Sequence, residues 1–211
     1  MNQKDLFKKV NDLKKSDIRK VIEKRKSEFL SFQKKPSKYL FLEMSFCNLT
    51  ANYSAKRAIE ITKKIKSGFI SFSEKKLSSK LKELGYRYPN LRSSFIVYNR
   101  QFIKDLRKNI FSFKDDLERR EYIVKNIKGL SYKEASHFLR NIGFFNYAII
   151  DFHIIDVLID YKFLKEKPKT LNKQRYLEIE EILSKMSKKL KLTQGELDLY
   201  LWYLETGEVL K

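Results

Sequence analysis

Residues 121–158 read EYIVKNIKGLSYKEASHFLRNIGFFNYAIIDFHIIDVL, and the fold turns on how this stretch is arranged. Its spacing predicts two short helices around a tight hairpin. The first runs to about Lys128, the turn is Gly129, Leu130 and Ser131, and the second runs to about Asn141 with Gly143 placed to end it. Ser131 and Glu134 have the spacing of a capping box, which makes Ser131 the N-cap and puts Lys133 at the second helical position. A helix N-terminus carries unsatisfied N–H groups and positive partial charge, so an ammonium there is disfavoured against its neutral amine. That placement suits a lysine nucleophile, and the same N–H groups at a glycine-containing hairpin suit a phosphate. Spacing alone does not separate Lys133 from an ordinary solvated lysine.

Eighteen residues after Lys133, Asp151 sits in the middle of the apolar run AIIDFHII. One reading is that it caps the helix that follows. A capping carboxylate is held and ionised, and is therefore also able to stabilise a developing oxocarbenium ion or assist proton transfers. His137 and His153 are the only histidines, and each reads as packing or phosphate contact rather than a metal ligand.

Outward from this stretch, helical signals continue in both directions. The first ~33 residues form a basic helical stretch, ended by QKKPSK around Pro36. Two helices meet at the polar tetrad from Thr50 to Tyr53, and further breaks fall at Lys66 to Gly68 and at Gly85 to Asn90. After Phe163 the segment KEKPKT interrupts the chain, NKQRYLEIEEILSKMSKKL resumes as helix, and a second capping box from Thr193 to Glu196 starts a last helix that should stop near Gly207. The expected fold is all-α. A central lobe covers about 34–146 and includes the hairpin at about 121–143, while residues 1–33 and 147–211 form a second lobe.

Composition agrees with a folded, polyanion-binding protein. Hydrophobic residues are 42% of the 211 and aromatics 14%, with only six Gly and three Pro, which favours a helical core over a disordered basic tail. The net charge of +20 is spread along the chain, and lysine enrichment from genome composition or a hot habitat would account for part of it. No apolar run has the length of a membrane span and the N-terminus lacks a signal-peptide core, so nucleic acid is the expected partner, not membrane. The single cysteine, Cys47, argues against Cys-ligated zinc or iron-sulfur sites and reads as a buried thiol, with a cytoplasmic, nucleoid-associated location expected.

The residues also carry a resemblance. Residues 125–158 are similar to the helix-hairpin-helix, Gly/Pro-rich loop and Asp signature of the DNA base-excision glycosylases: a hairpin, Lys133, Ala135, then after a gap a hydrophobic residue, Asp151, one residue, and His153. FCNLTANYSA at 46–55, KEASHFLRNIG at 133–143 and LDLYLWYLETGEVLK at 197–211 extend it, essentially end to end, to the archaeal-type 8-oxoguanine DNA glycosylase/lyase family.

That resemblance implies a two-lobed helical fold with double-stranded DNA in the cleft between lobes, Asp151 at their seam, and the damaged nucleotide flipped into the cleft. It implies Lys133 as the covalent nucleophile of a glycosylase with AP lyase activity, Asp151 as its carboxylate partner, no metal or organic cofactor, and a monomer. Asn52 matches a position that fills the gap left by the flipped base, although an ordinary turn residue fits equally. Trp202 matches an aromatic that stacks on the lesion base, against a core alternative. Lys211 matches a terminal lysine whose carboxylate serves in recognition. Tyr88, Arg87 and Arg92 are candidates for stacking and phosphate contacts, and Gly129, Ser131 and His153 for further DNA contacts.

Two features depart from the family pattern. The hairpin usually reads Gly, hydrophobic, Gly, whereas here the third position is Ser131, which resists positive φ and is expected to alter the phosphate-binding geometry. Tyr88, Pro89, Asn90 and Leu91 replace a more basic element. Competing readings are the same fold acting on another oxidised base, and a non-catalytic helix-hairpin-helix DNA-binding protein.

Overall fold

Helix starts and stops are written locally in this chain, and the computed structural model, which describes residues 1–211, follows them. In chain order the α-helices are α1 (Gln3–Leu13), α2 (Ile18–Ser31), α3 (Ser37–Thr50), α4 (Ala55–Ile65), α5 (Gly68–Ser71), α6 (Glu74–Glu83) and α7 (Pro89–Asn99). They continue with α8 (Leu106–Phe111), α9 (Asp116–Asn126), α10 (Tyr132–Asn141), α11 (Phe152–Asp160), α12 (Lys173–Leu190) and α13 (Gln194–Thr206). There is no strand, so the expected all-α class holds. No helix is long and apolar enough to cross a membrane.

Side chains of Asn2, Ser54, Ser73, Asp115, Asp151, Asn172 and Thr193 accept from backbone N–H groups in the first turns of α1, α4, α6, α9, α11, α12 and α13, filling donors that a helix start leaves open. The last helix ends as expected, with Gly207 in the left-handed region at φ 72°. The first ~33 residues differ from expectation in forming two helices. Ser16 causes the break: its hydroxyl donates to the Leu13 carbonyl at 2.8 Å and accepts the Ile18 N–H at 3.3 Å, taking backbone groups that a continuous helix would use.

The chain divides into two compact units, Met1–Ser31 with Gly143–Lys211, and Phe32–Ile142. The second is built around α3, which is buried on almost every side from Leu40 to Thr50 and is packed by α4, α5, α7, α8 and α10. An all-round buried helix needs its polar side chains satisfied: Ser45 donates to the Phe41 carbonyl, Thr50 to the Cys47 carbonyl, and Glu43 accepts from Asn141 of α10 at 2.7 Å. Cys47 is buried.

In the other unit, α13 packs against α1, α2, α11 and α12. Leu6, Val10, Ile22, Ile154, Leu158, Tyr176, Leu183, Leu197 and Leu201 supply its core. Glu196 ties α13 to α2 through Lys26, and closes the capping box by accepting the Thr193 N–H at 2.8 Å. Burial alone would raise the Glu196 carboxyl, but the hydrogen bonds from Lys26 and Thr193 outweigh it and hold the group below its usual range.

Candidate active site

The hairpin between α9 and α10 is held from beneath. The Lys128 carbonyl accepts from Asn48 Nδ2 of α3 and Asn99 Nδ2 of α7, each at 2.9 Å, and Asn99 Oδ1 accepts the Lys128 N–H at 2.9 Å. Gly129 follows with φ 81°, a conformation that favours glycine. A Cβ there would lie 2.5 Å from Asn48 Nδ2 and from the Phe95 ring, so space as well as backbone demands glycine. Leu130 is buried and pins the turn to the core.

Ser131 then adopts extended backbone, φ −87°, which any residue tolerates. Within the turn, positive φ is confined to Gly129. Glu134 Oε2 accepts the Ser131 N–H at 3.2 Å and also its hydroxyl, so the expected cap is present. Lys133 is the second residue of α10, partly exposed, with Nζ 3.6 Å from Glu134 Oε1. Sequence reasoning considered the helix terminus near Nζ but not this neighbouring carboxylate. Its signal was present, since Glu134 was already assigned to the cap.

Four other candidates lie in the same unit. Arg92 is buried: its Nη2 donates to the Ala51 carbonyl at 3.4 Å, and Nη1 would be 3.1 Å from a Cβ at position 129. Its guanidinium thus bonds the turn carrying Asn52 and lies close to Gly129 of the hairpin. Asn52 is exposed in the left-handed region, φ 55°, which asparagine tolerates better than most residues. Exposed Arg87 lies over the ring of Tyr88, the half-buried residue ahead of α7, at 5.0 Å. Neighbouring Tyr86 donates to the Leu49 carbonyl at 2.9 Å, and burial pushes its hydroxyl up to about 12.

In the other unit, Asp151 caps α11 by accepting the Ile154 N–H at 3.0 Å. His153, half-exposed, stands edge-on to Trp202 of α13 at 4.8 Å between ring centroids, and its Nδ1 is 3.9 Å from Glu205 Oε1. Trp202 is half-buried rather than core, and Glu205, three residues on, is a neighbour that sequence reasoning missed. Lys211, also half-buried, has interaction partners. A capping carboxyl group, a partly exposed indole and an imidazole thus share two helices, while a lysine amine stands at the head of a third.

Comparison with known proteins covers nearly the whole chain. A family model described as 8-oxoguanine DNA glycosylase matches residues 22–192. The chain is 51% identical over its full length, and over the full length of the relative, to the 8-oxoguanine DNA glycosylase/AP lyase of Korarchaeum cryptofilum. It is 47% identical to the protein of the same name from Methanocaldococcus jannaschii, over 98% of this chain and 99% of that one. Among solved structures, the Methanocaldococcus jannaschii 8-oxoguanine glycosylase/lyase in complex with a 15mer DNA containing 8-oxoguanine superposes with a TM-score of 0.95, at 46% identity and covering 98% and 99% of the two chains. The 8-oxoguanine DNA glycosylase of Thermotoga maritima superposes with a TM-score of 0.93, at 39% identity and covering 99% of each.

Proposed function

The chain belongs to the 8-oxoguanine DNA glycosylase family, and from that membership we infer that it excises 8-oxoguanine from double-stranded DNA and cleaves the strand at the abasic site, with Lys133 as nucleophile and Asp151 as its carboxylate partner. The observation that carries this reading is end-to-end likeness to glycosylase/lyases in a chain that keeps a lysine at the second position of the helix after the hairpin.

In this reading the neutral Lys133 amine attacks C1′ of the flipped nucleotide. The N-glycosidic bond breaks with its electron pair leaving on the base, and the proton that Nζ loses on bonding to C1′ neutralises the departing base. Asp151, ionised and fixed at the head of α11, stabilises positive charge at the sugar while the bond is breaking. Ring opening gives a Schiff base between Nζ and C1′. Loss of a C2′ proton then expels the 3′ phosphate by β-elimination, and water releases the lysine. Trp202 supplies a face for stacking on the lesion base, the Lys211 carboxylate contributes to recognition, and Asn52 occupies the gap in the duplex. Arg87, Tyr88, His153, Gly129 and Ser131 contact the DNA, with Arg92 supporting the hairpin from below.

Borohydride trapping on a duplex with one 8-oxoguanine tests this reading. A covalent adduct with the wild type, absent with Lys133→Gln and with undamaged duplex, is expected. Trapping that persists in Lys133→Gln would assign the nucleophile elsewhere.

A further inference from the structure

Residues 147–150 approach Asp151 without regular secondary structure, and all four are buried. A buried irregular segment must find partners for its backbone groups. Here α12 supplies them from two side chains one helical turn apart. Tyr176 Oη donates to the Ala148 carbonyl at 2.7 Å and accepts the Ile150 N–H at 3.3 Å, while Glu180 Oε1 accepts the Ala148 N–H at 3.1 Å. Tyr176 is 1% exposed. Both polar groups of Ala148 and the N–H of the residue just before Asp151 therefore depend on α12.

We propose that Tyr176, with Glu180, is a positioning residue for the reaction: it sets the backbone that delivers the Asp151 carboxylate, touching neither substrate nor the reacting atoms. The proposal rests on the reading of Asp151 given above. Tyr176→Phe keeps the ring and its packing but leaves the Ala148 carbonyl and the Ile150 N–H without that hydroxyl in a buried site. The segment then shifts to recover partners, and Asp151 shifts with it.

The test measures single-turnover excision of 8-oxoguanine from a duplex, with binding to the same duplex measured in the Lys133→Gln background and thermal unfolding alongside. For Tyr176→Phe the excision rate is expected to fall on the order of 10- to 100-fold, because small misplacements of a reacting group have effects of that size, while Kd changes less than about 3-fold. Glu180→Gln, which keeps an acceptor for the Ala148 N–H, should retain more of the rate than Glu180→Ala. An unchanged rate in Tyr176→Phe, equal loss in both Glu180 variants, or rate and binding falling together in step with unfolding would each overturn the proposal. Asp151→Asn runs in parallel: if it excises like the wild type, the reading of Asp151 itself fails, whereas its inactivity beside an unaffected Tyr176→Phe sinks the positioning role alone.

Discussion

Asn99 engages both backbone groups of Lys128, donating to the carbonyl and accepting the N–H, each at 2.9 Å. Asn99 is 1% exposed, so the pairing is shielded on the Asn99 side while Lys128 itself faces solvent. Asn99→Ala would leave the Lys128 N–H without that acceptor and remove one of two donors from its carbonyl. An unsatisfied buried group costs about 1–3 kcal/mol, and urea denaturation of Asn99→Ala should show a loss in that range. Asn99→Asp keeps the acceptor but turns a carboxylate oxygen toward the carbonyl, and is expected to be at least as destabilising. Wild-type stability in both variants would mean that the hairpin is held by other contacts.

Positions 129 and 131 of the hairpin should respond to very different extents to exchange of glycine. Gly129→Ala places a Cβ at φ 81° and against Asn48 and Phe95, so it should lose more than the roughly 1–2 kcal/mol of a left-handed residue alone. Ser131→Gly changes extended backbone at a cap, where glycine is worth only a few tenths of a kcal/mol less than serine. Thermal unfolding of the two variants, with duplex binding beside it, checks this. Comparable losses at both positions would contradict the geometry.

What was legible in the sequence was local. The capping boxes at Ser131 and Thr193 span three residues each, and a helix start depends on little else. Lys133 drew notice beside such a signal and Asp151 as a lone carboxylate in an apolar run, while the roles expected of them came from the family resemblance. The grip on Lys128 was not legible, because Asn48 and Asn99 lie 80 and 29 residues away and look like ordinary helix residues until the helices pack. Arg92 was read as a candidate phosphate contact, and its burial was not legible for the same reason: only the folded chain brings the Ala51 carbonyl to its guanidinium. The break at Ser16 was missed because a serine that bonds its own backbone looks, in sequence, like any serine on a polar helix face.

Glu134 serves the cap with one oxygen and faces Lys133 with the other, and the two tasks differ in energy. The cap satisfies backbone donors at a helix start, whereas a partly solvated lysine–glutamate pair 3.6 Å apart contributes little to stability. Lys133→Gln should therefore change the free energy of unfolding by less than about 0.5 kcal/mol. Glu134→Ala should lose about 1 kcal/mol, and Glu134→Gln, which still offers an acceptor, should recover much of it. A large loss in Lys133→Gln would show that the ion pair supports the fold.

The Glu196 carboxyl predicts how stability falls in acid. Hydrogen bonds from Lys26 and Thr193 hold it below the usual carboxylate range against the opposing effect of burial. A group whose folded value is depressed contributes stability that is full above its unfolded value, about 4.3 for glutamate, and is lost as pH falls through the folded value. Glu196→Gln keeps an acceptor for the Thr193 N–H but drops the charge that meets Lys26. Urea unfolding should find this variant less stable than the wild type near neutral pH, with the gap closing as the pH drops below the ordinary glutamate range. A gap that stayed constant across that range would mean that Glu196 stabilises α13 through its cap alone, and that the link to α2 contributes nothing through charge.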